Sequence, residues 1–360
     1  MPDKMKPAGK VLLKDLSRAE LEDFFSGMGE RSFRAVQLMG WLYQRQATTF
    51  DQMTDLSLKL RQKLESAAIV NAVTVARRQE SVGDGTVKYL FMLGDGNTCE
   101  GVLMRHDYGN SFCVSTQVGC AMGCRFCAST LGGRIRDLSV GEIVDQVVTA
   151  QRELAAEEKR ISSVVFMGTG EPLENYAATV GALRLLNSPE GLNIGYRHLT
   201  VSTSGLSEQI RRLAGEELPI TLSVSLHAPN DALRSELMPV NRRFPIGELL
   251  PACRDYIQRT GRRITFEYAM MDGINDSGEQ ARQLAGLLRG MLCHVNLIPL
   301  NPVAERGIAR SSLETVRRFQ AILEEEGIET TVRREMGGDI DAACGQLRRR
   351  AMLESGMGEK

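Results

Sequence analysis

The chain has no apolar run long enough to span a bilayer. Its first residues, Met1-Pro2-Asp3-Lys4-Met5-Lys6-Pro7, lack the apolar core of a signal peptide. A cytoplasmic protein with no membrane partner is therefore expected. Its eight cysteines should then be thiols or metal ligands, not a disulfide framework. Histidine is scarce, with four in 360 residues, and no second CxxC or HxxxH pair appears, so a closed zinc site built from two ligand pairs has no material. Net charge is also nearly absent, −1 overall, so a nucleic-acid partner would have to be held by a local basic patch. No internal repeat or low-complexity segment stands out. The rest is ordinary globular composition, 42% hydrophobic and 25% charged, enough for one large domain and a smaller one.

What is present is concentrated in Val118-Gly119-Cys120-Ala121-Met122-Gly123-Cys124-Arg125-Phe126-Cys127. Thiolates at this spacing can close on one metal centre. A [4Fe–4S] cluster normally takes four cysteines, one per iron, so Cys120, Cys124 and Cys127 would leave one iron open to a non-protein ligand. A structural zinc is the competing reading. It needs a fourth ligand, and the nearest imidazole is the distant His106, so the cluster is favoured. The spacing, CX3CX2C, resembles that of radical S-adenosylmethionine (SAM) enzymes, whose open iron chelates the amino and carboxylate groups of SAM.

Residues from about 10 to 68 read as short helices. Ser17 with Glu20 forms a capping-box signature ahead of Leu21, Phe24 and Phe25, and Ser32 and Ser57 precede further apolar stretches. Basic residues scattered there make either an RNA-touching domain or a packing module with a solvated face, and composition favours the second. From about 70 to 105 the period changes to two, with Gly83-Asp84-Gly85 and Gly94-Asp95-Gly96-Asn97 as turns, which predicts a three-stranded meander. Beyond it strands and helices alternate. Strands are expected at Ser111–Gln117, Val164–Met167, Leu199–Thr203, Ile220–Leu226, Ile264–Tyr268 and Val295–Ile298, with an edge strand at Ile328–Arg333. The clearest helices are one opened by Ser139 and Glu142, then Ile246–Thr260, Ser277–Arg289 and Ser311–Glu326. About six such units predict an α/β fold, a partial (βα)6 barrel, open rather than closed. The expected organisation is a helical domain over 1–69, a β-meander extension over 70–105, a core over 106–345 and a tail over 346–360.

In a parallel barrel, sites form at the C-terminal strand ends. Unusual polar residues cluster there: the cysteine loop after the first strand, Gly168-Thr169-Gly170-Glu171-Pro172 after the second, Ser202-Thr203-Ser204-Gly205 at the third, Ser225-Leu226-His227 at the fourth, and Asn301 after the sixth. Each alone is weak, since a glycine turn is usually only a turn and a lone histidine is usually a satisfied one. Together beside a candidate cluster they suggest a SAM pocket. Gly170 would let backbone approach, Glu171 would accept from the ammonium, and Ser202, Ser225, His227 and Asn301 would bond ribose and carboxylate. Cys99, Cys253 and Cys293 read as small buried hydrophobes. Cys344 does not: it lies in Gly337-Gly338-Asp339-Ile340-Asp341-Ala342-Ala343-Cys344-Gly345-Gln346-Leu347, which has no apolar period and reads as a mobile loop.

On these residues the chain resembles the RlmN/Cfr family of radical SAM RNA adenine methyltransferases. The resemblance runs from Phe33-Arg34-Ala35 to Leu347, and rests on CX3CX2C, a cysteine seven residues before it, and the late Ala-Ala-Cys-Gly-Gln-Leu stretch. It implies a radical SAM barrel with cluster ligands at Cys120, Cys124 and Cys127, and SAM contacts at Gly170, Glu171, Ser202, Ser225, Leu226, His227 and Asn301. It further implies a methyl-carrying Cys344, a resolving Cys113 and a proton acceptor at Glu100. The branch it is most like methylates adenine C2 in 23S rRNA, at the peptidyl-transferase centre, and in some tRNAs next to the anticodon, consuming two SAM per turnover. That implies one [4Fe–4S] cluster, and 23S rRNA, tRNA and a low-potential electron donor of the flavodoxin or ferredoxin type as partners. Two alternatives stay open here: the C8-methylating branch, which shares the same cysteines, and a non-catalytic metal-stapled RNA-binding protein. Arg134, Arg136, Arg242 and Arg243, nearest the rim, are the expected phosphate contacts.

Overall fold

The computed structural model describes residues 5–6, 9–340 and 345–354; Cys344 lies outside the described residues. The chain opens with two short strands, β1 (Met5–Lys6) and β2 (Lys10–Leu12). Helices α1 (Arg18–Gly27), α2 (Phe33–Met39) and α3 (Leu58–Ala67) follow. Ser17 caps α1 in the expected capping box with Glu20, and Ser57 caps α3, whereas Ser32 makes no side-chain cap. Their apolar faces meet around Leu21, Phe25, Leu38, Leu42, Leu60 and Leu64, all fully buried. Strand β3 (Ala68–Ile69) returns beside β2 in parallel, so this small domain is closed by strands the helical periodicity does not reveal.

The rest is organised on one ten-stranded mixed sheet. Strands β4 (Val73–Glu80), β5 (Val87–Leu93) and β6 (Thr98–His106) form the antiparallel meander. Strand β7 (Gly109–Cys113) pairs antiparallel with β6 and parallel with β10 (Ile161–Phe166), so the meander is continuous with the barrel sheet and no break in hydrogen bonding falls at residue 105. Strands β8 (Gln117–Gly119) and β9 (Arg134–Asp137) form a small separate ribbon carrying the cysteine loop between them. After β10 come β11 (Leu199–Thr203), β12 (Thr221–Ser225), β13 (Ile264–Met270), β14 (Cys293–Pro299) and the short edge strand β15 (Thr330–Val332), each parallel to the one before. The order β15-β14-β13-β12-β11-β10-β7 makes six strands and an added edge, and the sheet does not close.

Helices α4 (Val140–Ala155), α5 (Tyr176–Asn187), α6 (Ser207–Ala214), α7 (Asp231–Leu237), α8 (Ile246–Thr260), α9 (Gly278–Leu288) and α10 (Leu313–Glu325) connect the parallel strands. Helix α4 buries polar residues as well as its apolar face, because the N-terminal domain covers its other side. Lys14 and Asp145, both fully buried, form an ion pair there, and Asp145 Oδ2 also accepts the Ala72 N–H at 2.6 Å. Asp15 Oδ1 accepts the Gly141 N–H at 2.7 Å. The segment expected as a tail is instead helix α11 (Gln346–Glu354), anchored by a fully buried Leu347. Among the described residues, no helix is long and apolar enough to cross a membrane.

Candidate active site

The cysteine loop is shaped by a glycine. Gly119 has φ +77°, and a Cβ there would lie 1.9 Å from the Gly133 carbonyl oxygen, so β8 and β9 approach closely only because the side chain is missing. Cys120 N–H donates to that same carbonyl at 3.0 Å, and Arg125 N–H donates to Leu237 O at 2.9 Å, tying the loop to α7. Thr130 Oγ1 donates to the carbonyls of Cys124 and Cys127, at 3.1 and 2.9 Å, and Arg306 reaches Thr130 Oγ1 at 2.7 Å.

Cys120, Cys124 and Cys127 line one cavity at the C-terminal ends of the barrel strands. Gly170, Glu171, Ser202, Ser225, His227 and Asn301 line the same cavity. Leu226 does not: its side chain is fully buried, its N–H donates to Glu267 O at 3.1 Å and its carbonyl accepts from Arg234 Nε at 3.2 Å. Among the described residues, no three His, Cys, Asp or Glu side chains converge on a point that a single metal ion would fill. Burial pushes the Cys120 thiol up to about 12 and raises Cys124 as well, so in the metal-free chain these sulfurs keep their protons. Metal binding would release them.

Glu171 is held from its own backbone side. Its Oε2 accepts the Ser204 N–H at 2.7 Å and its Oε1 the Leu173 N–H at 3.0 Å, while Gln117 Oε1 accepts the Glu171 N–H at 2.8 Å. Burial raises its carboxyl above the ordinary range, against those backbone hydrogen bonds. Gly170 has φ +115°, and an added Cβ would fall 2.7 Å from Gln117 Cβ and 2.8 Å from its nitrogen. The close approach that excludes a side chain at Gly170 is therefore to the strand beneath it.

His227 sits at φ +56°, a left-handed conformation rare for a residue other than glycine. It is stabilised there by the fully buried Asn275, whose Nδ2 donates to His227 O at 2.8 Å and to Ala269 O at 2.7 Å. The imidazole Nδ1 accepts the Ala269 N–H at 2.9 Å, so the ring is neutral with its proton on Nε2. Burial lowers its pKa to about 3, with the Arg234 charge adding to the effect. The ring meets Phe126 edge-on, with centroids 4.8 Å apart.

Several groups around the cavity are absent from the sequence reading. Arg234 is fully buried, and donates to Ser204 O at 2.7 Å, Ser225 O at 3.1 Å, Leu226 O, Asn241 Oδ1 at 2.7 Å and Phe244 O. One guanidinium thus binds the loops after β11 and β12. Glu267, Arg333 and Gln346 also line the cavity. Only the odd placement of a carboxylate in the apolar run of β13 signals Glu267. For Arg234 the sequence offers nothing, since helical arginines are usually solvated.

Cys113 lies in the wall of a second cavity, with Val102, Met104, Met167, Met336, Arg333 and Arg334. The two cavities share Met167, Ile298, Asn301 and Arg333. Val102 pairs with Cys113 across β6 and β7, and alternation puts Glu100 on the same sheet face. Of the arginines expected at the rim, Arg136 is committed to Glu142 at 2.8 Å and Asp95 at 2.5 Å, and Arg134 lies 3.3 Å from Asp137. Arg242 is exposed, and Arg243 lies 3.6 Å from Glu208 with both side chains largely in solvent. Arg333 and Arg334 are exposed and line the second cavity.

An open parallel barrel with a three-cysteine loop after its first strand and a Gly-Glu-Pro turn after its second defines a radical SAM enzyme. Residues 114–285 match the Radical SAM superfamily, and residues 11–70 match the Ribosomal RNA large subunit methyltransferase N-terminal domain. The chain is 57% identical over 344 residues to a probable dual-specificity RNA methyltransferase RlmN of Symbiobacterium thermophilum, covering 95% of this chain and 92% of that one. It is 54% identical to the corresponding protein of Desulforamulus reducens, covering 95% and 97%. A radical SAM methyltransferase from Sphaerobacter thermophilus is similar in structure, with TM-score 0.91 and 49% identity, covering 93% of this chain and 98% of that one. The chain belongs to the RlmN family of SAM-dependent RNA methyltransferases, and membership of the radical SAM superfamily implies a [4Fe–4S] cluster and SAM.

Proposed function

We propose that this enzyme methylates C2 of adenine in 23S rRNA and in a subset of tRNAs. The observation that carries the reading is the pair of adjoining cavities, one walled by Cys120, Cys124 and Cys127, the other by Cys113, with Met167, Asn301 and Arg333 common to both. Adenine C2 is an electron-poor carbon bearing hydrogen, so it cannot attack the methyl of SAM, whereas a cysteine thiolate can. The cluster and SAM, when bound, supply the radical that activates a methyl group for addition to C2. Cys120, Cys124 and Cys127 would hold the cluster, and Gly170, Glu171, Ser202, Ser225, His227 and Asn301 would position SAM.

The chain's other groups carry and release the methyl. The Cys344 thiolate takes it by displacement from a first SAM, which leaves as S-adenosylhomocysteine, and presents it to the base as a thioether. Glu100 accepts the C2 proton after addition. Once the odd electron left by radical addition has returned to the redox centre that supplied it, the Cys113 thiolate attacks the sulfur of Cys344; the carbon–sulfur pair stays on the transferred carbon, which takes a proton to become the methyl group, and the resulting disulfide is reduced by cellular thiols. The target base must leave its stack to reach a site this enclosed. Arg333 and Arg334 supply phosphate contacts at the entrance, and residues 1–69 form a domain that contacts RNA. The cluster would draw its electron from a low-potential flavodoxin- or ferredoxin-type partner, in the cytoplasm.

Anaerobic reconstitution with labelled SAM and both RNAs tests the reading. Digested product is expected to contain 2-methyladenosine. If only 8-methyladenosine appears the position is wrong, and if no methyl enters either RNA the reading falls.

A further inference from the structure

Glu100 is not an idle carboxylate waiting for a proton. It is 2% exposed, and Lys88, 1% exposed on the neighbouring strand β5, donates to its Oε2 at 2.8 Å. The same oxygen accepts the Gly345 N–H at 2.7 Å, and Oε1 accepts the Arg348 N–H at 2.6 Å. These amides open α11, where a helix leaves its first N–H groups unpaired and favours a negative charge. The register pairs Leu90 with Glu100 and Lys88 with Val102, so Lys88 and Glu100 are diagonal neighbours on one sheet face. Gly345 is also pressed against the turn after Cys127: at φ +81°, a Cβ on it would lie 2.8 Å from Ser129 N and 3.1 Å from Ala128 C. The chain after position 344 is thus held between the Glu100 carboxylate and the cysteine loop.

We infer that Lys88 is a positioning residue for the segment that carries Cys344. Its ammonium compensates the buried charge of Glu100, and the carboxylate so held clamps Gly345 and Arg348, fixing the segment against the cysteine loop. Without Lys88 the buried carboxylate would lose its ammonium partner, which weakens its hold on the two amides. Glu100 then has two tasks, clamping the segment and accepting the proton, and Lys88 serves the first. The clamp stands on the contacts alone; its effect on chemistry rests on the reading of Cys344 as methyl carrier.

The test is hydrogen–deuterium exchange on the full-length reconstituted enzyme, resolved to single amides over 345–350. The variants are Lys88→Met, Lys88→Arg and the double variant Lys88→Met with Glu100→Gln. The double variant removes both buried charges, so a lone carboxylate cannot unfold the sheet. Loss of charge-assisted hydrogen bonding is expected to speed exchange at Gly345 and Arg348 by about tenfold or more in Lys88→Met and the double variant, with β10–β14 unchanged. Lys88→Arg, which keeps the charge, is expected to restore most of the protection. In Lys88→Met the rate of methyl transfer from SAM to Cys344, read from the mass of its peptide, is expected to fall by roughly tenfold or more, as expected for a misplaced nucleophile. Unchanged exchange at both amides in the double variant overturns the inference, as does acceleration spread evenly across the sheet. Native methylation of Cys344 in Lys88→Met overturns it too. If exchange responds as expected but Cys344 of the native enzyme never gains a methyl, the clamp stands and the methyl-carrier reading fails.

Discussion

Replacing Arg234 with leucine should damage both stability and SAM binding, and the structure sets the size of the effect. The guanidinium serves five acceptors, two of them at 2.7 Å, spread over the end of β12 and the segments that follow β11, β12 and α7. Deleting it orphans buried carbonyls at roughly 1–3 kcal/mol each. Part of that is returned, because burial already disfavours this charge, lowering its pKa to about 10, and leucine removes that cost. A net loss of about 3 kcal/mol follows from four or so orphaned acceptors less the recovered desolvation, a large part of the ~5–15 kcal/mol that holds a typical domain together. Because Ser204 and Ser225 line the cavity, their loops should also lose register, weakening SAM at least about tenfold. The assay is anaerobic urea unfolding followed by far-ultraviolet circular dichroism, with equilibrium dialysis of labelled SAM against the reconstituted protein. A stability change under 0.5 kcal/mol, or a destabilised protein with native SAM affinity, would refute the view that Arg234 organises the site.

Three further outcomes are expected. The folded-state pKa of His227, about 3 against an ordinary 6.5, means that below pH 6.5 the unfolded chain binds the extra proton, so its contribution to stability is lost as pH falls from about 6.5 toward 3. The slope is at most about 1.4 kcal/mol per pH unit, and His227→Gln should flatten that acid limb in urea titrations at successive pH values. Gly119→Ala forces the loop off the Gly133 carbonyl and should cost about 1–3 kcal/mol while lowering iron and sulfide content after reconstitution; native iron content would show that the loop tolerates the move. Cys113→Ala should accumulate a covalent protein–RNA adduct, seen as a retarded gel band that nuclease collapses, and clean turnover would remove Cys113 from the resolving role.

The barrel was legible because its signals are local. Alternation in Ile264–Tyr268, capping boxes at Ser17 and Ser139, and glycine turns in the meander each depend on residues within one element. The edge strand at Thr330–Val332 and the helix Ile246–Thr260 came through for the same reason. What the sequence hid is made by contacts between distant segments. Helix α4 is polar on the face away from the sheet, which reads as solvated, yet Asp145 there is fully buried against Lys14 of the N-terminal domain. Lys88 interrupts an apolar strand and reads as the outward residue of an alternating pair, but both faces of β5 are covered. The residues after Cys344 looked like a loop and tail because Gly345 and the arginines carry no apolar period. Helix α11 is specified instead by Leu347 and by a carboxylate 245 residues earlier in the chain. Cavity residues such as Glu171 and His227 were found because each sits at a strand end, where topology brings them together. Arg234 was not, because its acceptors are backbone carbonyls, which no motif records.

The central claim is that three thiolates hold a cluster whose open iron makes a radical from SAM beside a loaded cysteine. The most direct measurement is 5′-deoxyadenosine formed by the anaerobically reconstituted enzyme given reductant, SAM and RNA. The account predicts 5′-deoxyadenosine in step with methylated adenine, and none from Cys124→Ala. Methylated RNA formed without 5′-deoxyadenosine, or a Cys124→Ala enzyme that still cleaves SAM, would contradict it.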